Sequence, residues 1–178
     1  MIAGVDPGND GAVAILQDDG GFVRVYDMPM LTVEVAVRVK GQNKKRIKHH
    51  LDEAGLRAIL VDNLVSHVFT EKAQVMPADR DGEKVQGIVS MGNYMKAYGQ
   101  ILGICAGLQI PKQEVHPASW KAKMMADMPR GKGSSIVRCK QLFPGIACLE
   151  RKKDDGRAEA ILVGLYGIRY FLQGGESL

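Results

Sequence analysis

The 178 residues are 46% hydrophobic and 25% charged, the balance of one soluble globular domain, which excludes chain-wide disorder. No window approaches the ~18 uninterrupted apolar residues of a membrane helix, residues 1–6 carry no expected secretory signal, and the widely spaced Cys105, Cys139 and Cys148 form no disulfide or zinc pattern and suit a reducing compartment. With 24 Lys+Arg against 20 Asp+Glu the formal net charge is +4, which admits a nucleic-acid partner without demanding one.

Residues 2–5 and 12–16 are short apolar runs, and 22–26 alternate Phe, Val, Arg, Val, Tyr as a half-exposed strand does. Turn residues divide them, Asp6-Pro7-Gly8-Asn9-Asp10-Gly11 and then Asp18-Asp19-Gly20-Gly21, so the start reads as an antiparallel meander. From Arg38 to His50 run six Lys/Arg and two His with no acid. This basic stretch reads as a solvated loop or helix face leading into a helix near 51–64, with Leu51, Leu56, Ile59, Leu60 and Leu64 at helical spacing. A buried strand follows at 65–69. Residues 72–84, with Pro77, Asp79 and Gly82, read as a mobile loop.

A long helix rich in small residues is expected from about 86 to 108, and a short strand at 113–115. His116-Pro117-Ala118-Ser119 opens a helix carrying Trp120, and further helices are expected at 134–142 and 155–170. From Lys121 to Lys140 come six more Lys/Arg against Asp127. Two basic runs divided by a largely neutral core read as a footprint for a phosphate backbone. The order β-β-β-α-β-α-β-α-α predicts an α/β chain, one domain over 1–178, with a mixed five-stranded sheet and helices on both faces.

Acids stand where core elements stop. Asp6 ends the first strand and Glu71 the fourth; Asp155 and Glu159 lie one turn apart on the last helix, with Asp154 beside them. Each has a plainer reading: a turn residue, a solvated strand end, a helix N-cap and a first-turn acid. Together they suit phosphodiester hydrolysis. Two Mg²⁺ ions about 3.5 to 4 Å apart serve both the attacking water and the leaving oxygen, and Mg²⁺ takes hard oxygen ligands. No histidine has ligand spacing, and His49-His50 read as solvated.

Ala3-Gly4-Val5-Asp6-Pro7-Gly8, Phe69-Thr70-Glu71 and Asp155-Gly156-Arg157-Ala158-Glu159-Ala160 resemble RuvC-type Holliday junction resolvases, the last motif being most similar to the bacteriophage and plant-chloroplast branch. Tyr98-Gly99-Gln100 with Gly103 is similar to that family's glycine-rich dimer helix, and Pro117-Ala118-Ser119-Trp120-Lys121 to the segment that supplies an active-site lysine. The resemblance implies an RNase H-like fold, a homodimer, and Mg²⁺-dependent symmetric nicking of four-way or branched DNA. It implies two Mg²⁺ per active site, replaceable by Mn²⁺, with no organic cofactor and no membrane. Asp6, Glu71, Asp155 and Glu159 are the implied ligands, and Lys121 the implied stabiliser of the scissile phosphate. Bacterial members carry the last two acids three apart; here they are four apart, Asp154 rivals Asp155, and the chloroplast branch has a His at the position of Asp155.

The expected DNA contacts are Lys44, Lys45, Arg46 and Lys48 from the first basic run, and Lys121, Lys123, Arg130 and Lys132 from the second. The loop after Glu71, with Gln74, Met76 and Pro77, is expected to probe the junction centre, ordinary loop packing being the plainer reading of Met76, and Arg157 either meets phosphate or pairs with an acid. Trp120 reads as core, and the small-residue helix as either a buried helix or a dimer face. The bacterial or phage-infected cytoplasm, or an organellar nucleoid, is the expected location, without secretion. The alternatives are another RNase H-like nuclease acting on branched DNA or RNA–DNA hybrids, a catalytically inactive junction-binding protein, and an actin-like kinase domain. For the last, the Gly8-to-Gly11 turn is similar to a phosphate loop, but no second copy follows it.

Overall fold

A computed structural model describes residues 1–39, 42–74 and 87–174. Three strands, β1 (Ile2–Asp6), β2 (Ala12–Leu16) and β3 (Phe22–Asp27), form the expected antiparallel meander. The next two, β4 (Met30–Val39) and β5 (Gln42–Leu51), make a separate two-stranded ribbon. Helix α1 (Glu53–Asp62) leads to β6 (His67–Glu71), and α2 (Ile88–Gly107) to β7 (Lys112–Val115). Helices α3 (Pro117–Met124), α4 (Ser134–Leu142) and α5 (Asp155–Gly167) complete the order, with α5 running into a π-helical turn at Ile168–Leu172. The main sheet is ordered β3-β2-β1-β6-β7, with β1, β6 and β7 mutually parallel.

Strand alternation divides the core in two. Ile2, Ala14, Leu16 and Phe69 pack against α3, α4 and α5. Ala3, Val5, Val13 and Ile15 point the other way, against Leu56 and Leu60 of α1 and Ile101 of α2. Because both faces of β1 and β2 are covered, their sequences read as unbroken apolar runs, as buried strands do. Fully burying one such Ile or Leu is worth roughly 1.5–3 kcal/mol. No helix among the described residues is long and apolar enough to cross a membrane.

Helix α5 is buried on every side from Ala160 to Gly167, which explains why its sequence carries no polar face over that stretch. Glycines let it sit against the sheet. A methyl on Gly4 would overlap the Ala160 carbonyl oxygen and lie 2.5 Å from the Gly164 nitrogen; one on Gly164 would lie 3.1 Å from the Gly4 Cα. A side chain at Gly167 would collide with the Phe69 ring.

The structure corrects the reading of the basic stretch. Instead of a loop or helix face, residues 42–51 are a strand paired with residues 30–39 from Met30↔Leu51 to Val39↔Gln42. The period-2 row Leu31, Val33, Val35, Val37 carried the signal, but its partner row is lysine-rich and poor in β-formers. The fourth strand of the main sheet lies two residues later than expected, at His67–Glu71, because Leu64 adopts φ 52° and Val65 still bonds back to Leu60. Glu71 is thus the strand's last residue. The last helix ends at Gly167 before the π-helical turn, short of the expected 170.

Replacing Gly4 by Ala forces backbone apart, and overpacking of this kind costs about 1–3 kcal/mol or more. Gly4→Ala is expected to lower the thermal midpoint by several degrees, whereas Gly107→Ala, whose Cβ would enter open space, leaves it nearly unchanged; scanning calorimetry of the two checks this.

Candidate metal centre and nucleic-acid grooves

Parallel pairing puts the C-terminal ends of β1 and β6 on one edge of the sheet, with Val5 opposite Thr70. Asp6 and Glu71 therefore leave neighbouring strands side by side. The glycine seat brings the start of α5 to the same edge: an ideal Cβ on Gly156 would lie 3.0 Å from Asp6 Oδ2. Glu159 follows one turn on, and α3 delivers Lys121, whose Nζ lies 3.1 Å from Glu159 Oε1. Four of the five expected catalytic residues, Asp6, Glu71, Lys121 and Glu159, thus feel one another directly.

Their charges are strongly perturbed. Burial, and then the charges of Glu159 and Glu71, push the Asp6 carboxyl up to about 7, against the pull of the Gly8 N–H and Lys121. Burial also raises Glu71, against the Trp120 indole N–H, which donates to Glu71 Oε2 at 2.6 Å, and against Lys121. Burial works to lower the Lys121 ammonium, but Glu159, Glu71 and Asp6 outweigh it and hold it above its ordinary value. Ser135 Oγ donates to Glu159 Oε1 at 3.5 Å.

Asp154 and Asp155 differ sharply. Asp154 is only 2% exposed and is engaged by Arg151, whose backbone N–H bonds Oδ2 at 2.8 Å while Nε and Nη2 bond Oδ1 at 2.9 and 2.6 Å. These bonds hold its carboxyl below the usual range. Asp155 is the first residue of α5 rather than its N-cap, and its Oδ1 is buried with no hydrogen-bond partner among the described residues.

These features fit a hard divalent cation. The donors that meet, Asp6, Glu71 and Glu159, are all carboxylates, and the raised Asp6 reports a crowd of negative charge that a cation relieves; Asp155 stands at the start of α5 and is not among the groups that act on Asp6, its charge being felt by Cys139 instead. Among the described residues, no three His, Cys, Asp or Glu side chains are already drawn in to metal-holding distances; Lys121 reaches into the cluster instead.

Two grooves flank the acids. One, of about 530 Å³, runs between β5 and α2 and is lined by Gly8, Asn9, Arg46, Lys48, Tyr94 and Lys96. The other, of about 540 Å³, lies between α3 and α4 and is lined by Lys121, Arg130, Ser134, Ser135 and Glu159. Lys132 lines a further groove beside it with Lys140 and Arg151. The two basic runs therefore border opposite sides of the acid cluster.

The remaining expected contacts are placed as follows. Lys44, Lys45, Arg46 and Lys48 are exposed on β5, Lys45 being paired with Glu34 at 2.6 Å. Lys123 stands over the Tyr170 ring. Gln74 bonds the His116 ring, and Met76 lies outside the described residues, as does most of the expected mobile loop. Arg157 takes the acid-pairing alternative, with a two-pronged bond to Asp27 at 2.5 and 2.7 Å. Trp120 is fully buried, as expected of core, but its N–H on Glu71 was missed; its place next to Lys121 was the available hint. Also missed was Tyr94, whose hydroxyl burial, with the charges of Asp6 and Glu71, pushes up to about 12.

No protein-family model matches the chain. It is 26% identical over 161 residues to a chloroplastic Holliday junction resolvase, MOC1, of Chlamydomonas reinhardtii, covering 82% of this chain but only 17% of that protein. Among solved structures, Thermus thermophilus RuvC in complex with a Holliday junction substrate aligns with a TM-score of 0.55 and 15% identity, over 97% of this chain and 96% of that one. A second Thermus thermophilus RuvC structure aligns at 0.51 with the same identity and coverage. The fold is the RNase H-like fold of RuvC.

The raised Asp6 dictates a pH dependence. An acid whose folded pKa lies above its unfolded value holds its proton more tightly when folded, so its burial destabilises increasingly as pH rises from about 4 to 7. Asp6→Asn is expected to raise the metal-free melting temperature at pH 8 and leave it unchanged at pH 4, as followed by circular dichroism.

Proposed function

We propose that this protein is a structure-selective endodeoxyribonuclease that resolves four-way DNA junctions by Mg²⁺-dependent phosphodiester hydrolysis, acting as a homodimer. The observation that carries the reading is the meeting of Asp6, Glu71, Glu159 and Lys121 with the start of α5 at one sheet edge, between two basic grooves. The resolvase relative and the shared RuvC fold support it. Such an enzyme works wherever branched DNA forms, in a bacterial or phage-infected cytoplasm or an organellar nucleoid.

Asp6, Glu71, Asp155 and Glu159 would hold the cations. The chemistry supplied by a divalent pair there is activation of a water and neutralisation of the leaving oxygen. The protein's own residues do the positioning. Trp120 fixes the Glu71 carboxylate through its N–H. Because Arg151 already bonds both oxygens of Asp154, the proposal takes Asp155 rather than its rival Asp154 as the ligand. Lys121 holds a full positive charge in a partly desolvated site, where it stabilises charge growing on the phosphate.

The homodimer reading is supported by α2. Ile88, Gly92, Met95, Gly99 and Gly103 recur along one outer side of the helix; Ile88 is 91% exposed, and among the described residues nothing lies within 4 Å of a Cβ on any of the three glycines. Small residues allow two such helices to approach closely, and a two-fold interface holds two active sites at the separation a two-fold junction presents.

On a mobile-strand-labelled four-way junction with Mg²⁺, paired symmetric nicks are expected; cutting confined to RNA–DNA hybrids would overturn the proposal. Asp6→Asn and Glu71→Gln abolish cutting but keep junction binding, and Lys121→Ala slows cutting by about 10²-fold. Asp155→Asn loses cutting, whereas Asp154→Asn mainly loses stability. For the dimer, light scattering and nick mapping on Gly99→Arg are expected to give a monomer that makes unpaired nicks; a variant that stays dimeric would contradict the α2 interface.

A further inference from the structure

The β4–β5 ribbon contributes nothing to the main sheet, yet each of its strands is ten residues long. Two-stranded ribbons are marginal on their own in water, and most of this one is exposed. Its register sorts its side chains by face. Leu31, Val33, Val35 and Val37 stand directly opposite His50, Lys48, Arg46 and Lys44. Opposed residues share a face of the pleat, so one face carries an apolar row on β4 beside a cationic row on β5. The other face holds Lys45 with Glu34, already paired.

We infer that the face bearing Lys44, Arg46, Lys48 and His50 grips the duplex of a junction arm along its phosphate backbone, with the adjoining apolar row against the sugars. The inference rests on the junction-nuclease reading above and adds the surface that holds the arm. Charge complementarity selects the occupant: within this face the cations have no opposing acid, and duplex DNA presents a dense line of negative charge. Dimensions agree. Ten residues extend about 33 Å, close to one turn of B-DNA. Lys44 to His50 spans about 20 Å, enough to meet several phosphates of one strand. The base of the ribbon is also continuous with the site, because Arg46 and Lys48 line the same groove as Gly8 and Asn9, just past Asp6.

The test measures duplex and junction affinity across a salt series in the Asp6→Asn background, which separates binding from cutting. The combined variant Lys44→Gln, Arg46→Gln, Lys48→Gln is expected to flatten the slope of log K against log salt by about 2.7, since each phosphate contact contributes about 0.9. Lys45→Gln, on the paired face, should leave the slope unchanged, where a phosphate contact would flatten it by about 0.9. Val33→Glu with Val35→Glu, which puts acids against the DNA, should weaken duplex binding by at least about tenfold. Hydroxyl-radical footprints should show protection of about one helical turn on each bound arm, lost in the triple variant, with circular dichroism confirming that every variant is folded. A triple variant with the wild-type slope and footprint overturns the inference while leaving the nuclease reading intact. Concentration-dependent self-association abolished by the valine changes, with DNA affinity unaltered, overturns it in favour of a second copy of the chain. Ribbon-dependent duplex binding by a wild-type protein that cuts no junction supports the ribbon and sinks the nuclease reading.

Discussion

The contact of Gly4 with Gly164 sets the distance between the central strand and the buried helix. Nothing larger than hydrogen fits at Gly4 without displacing the backbone of α5. That proximity seats α5 across β1, β2 and β6, and it fixes where the helix begins relative to the strand ends. Asp155 and Glu159 then come to the edge where Asp6 and Glu71 emerge. Moving the helix outward by one methyl layer would keep every acid in the sequence and disperse the site, since interiors this tightly packed transmit such shifts.

The gathered acids are under electrostatic strain. Burial and mutual repulsion raise Asp6 to about 7 and raise Glu71. The neighbours moderate this unevenly. Lys121 brings positive charge, Trp120 brings a directed N–H, and Arg151 engages Asp154 almost completely. What is left is Asp155 with a buried oxygen that bonds to nothing among the described residues. A site that costs stability in this way is common where function requires charges to be held apart from water. The ion pair of Arg157 with Asp27 takes the other role: it ties the first turn of α5 to the end of β3, so that the helix start is held from two sides.

Much of this was legible in the residues. Apolar runs divided by Asp-Pro-Gly and Asp-Gly-Gly turns revealed the meander, and acids at element ends pointed to the sheet edge where Asp6, Glu71 and Glu159 act on one another. The helix at 134–142 coincides with α4. The ribbon was not legible as strand, because the row opposite its valines is lysine and arginine, whose β preference comes from facing a row that sequence does not identify. Nor could Asp154 be told from Asp155: their difference lies in where Arg151 turns, and adjacent acids look alike until the helix start has a direction. The pairing of Arg157 with Asp27 joins residues 130 apart, beyond the reach of any local pattern. Gly4 and Gly164 looked like ordinary small residues, since a glycine that permits close approach has no signature apart from its partner.

The central claim is that the α5 seat creates a divalent-cation site from Asp6, Glu71, Asp155 and Glu159. Anomalous scattering from crystals grown with Mn²⁺ tests it most directly. The account predicts manganese peaks bonded to carboxylate oxygens of Asp6 and Asp155, with Asp154 still held by Arg151. Manganese bound through Asp154, or no peak at this sheet edge in well-ordered crystals, would contradict it.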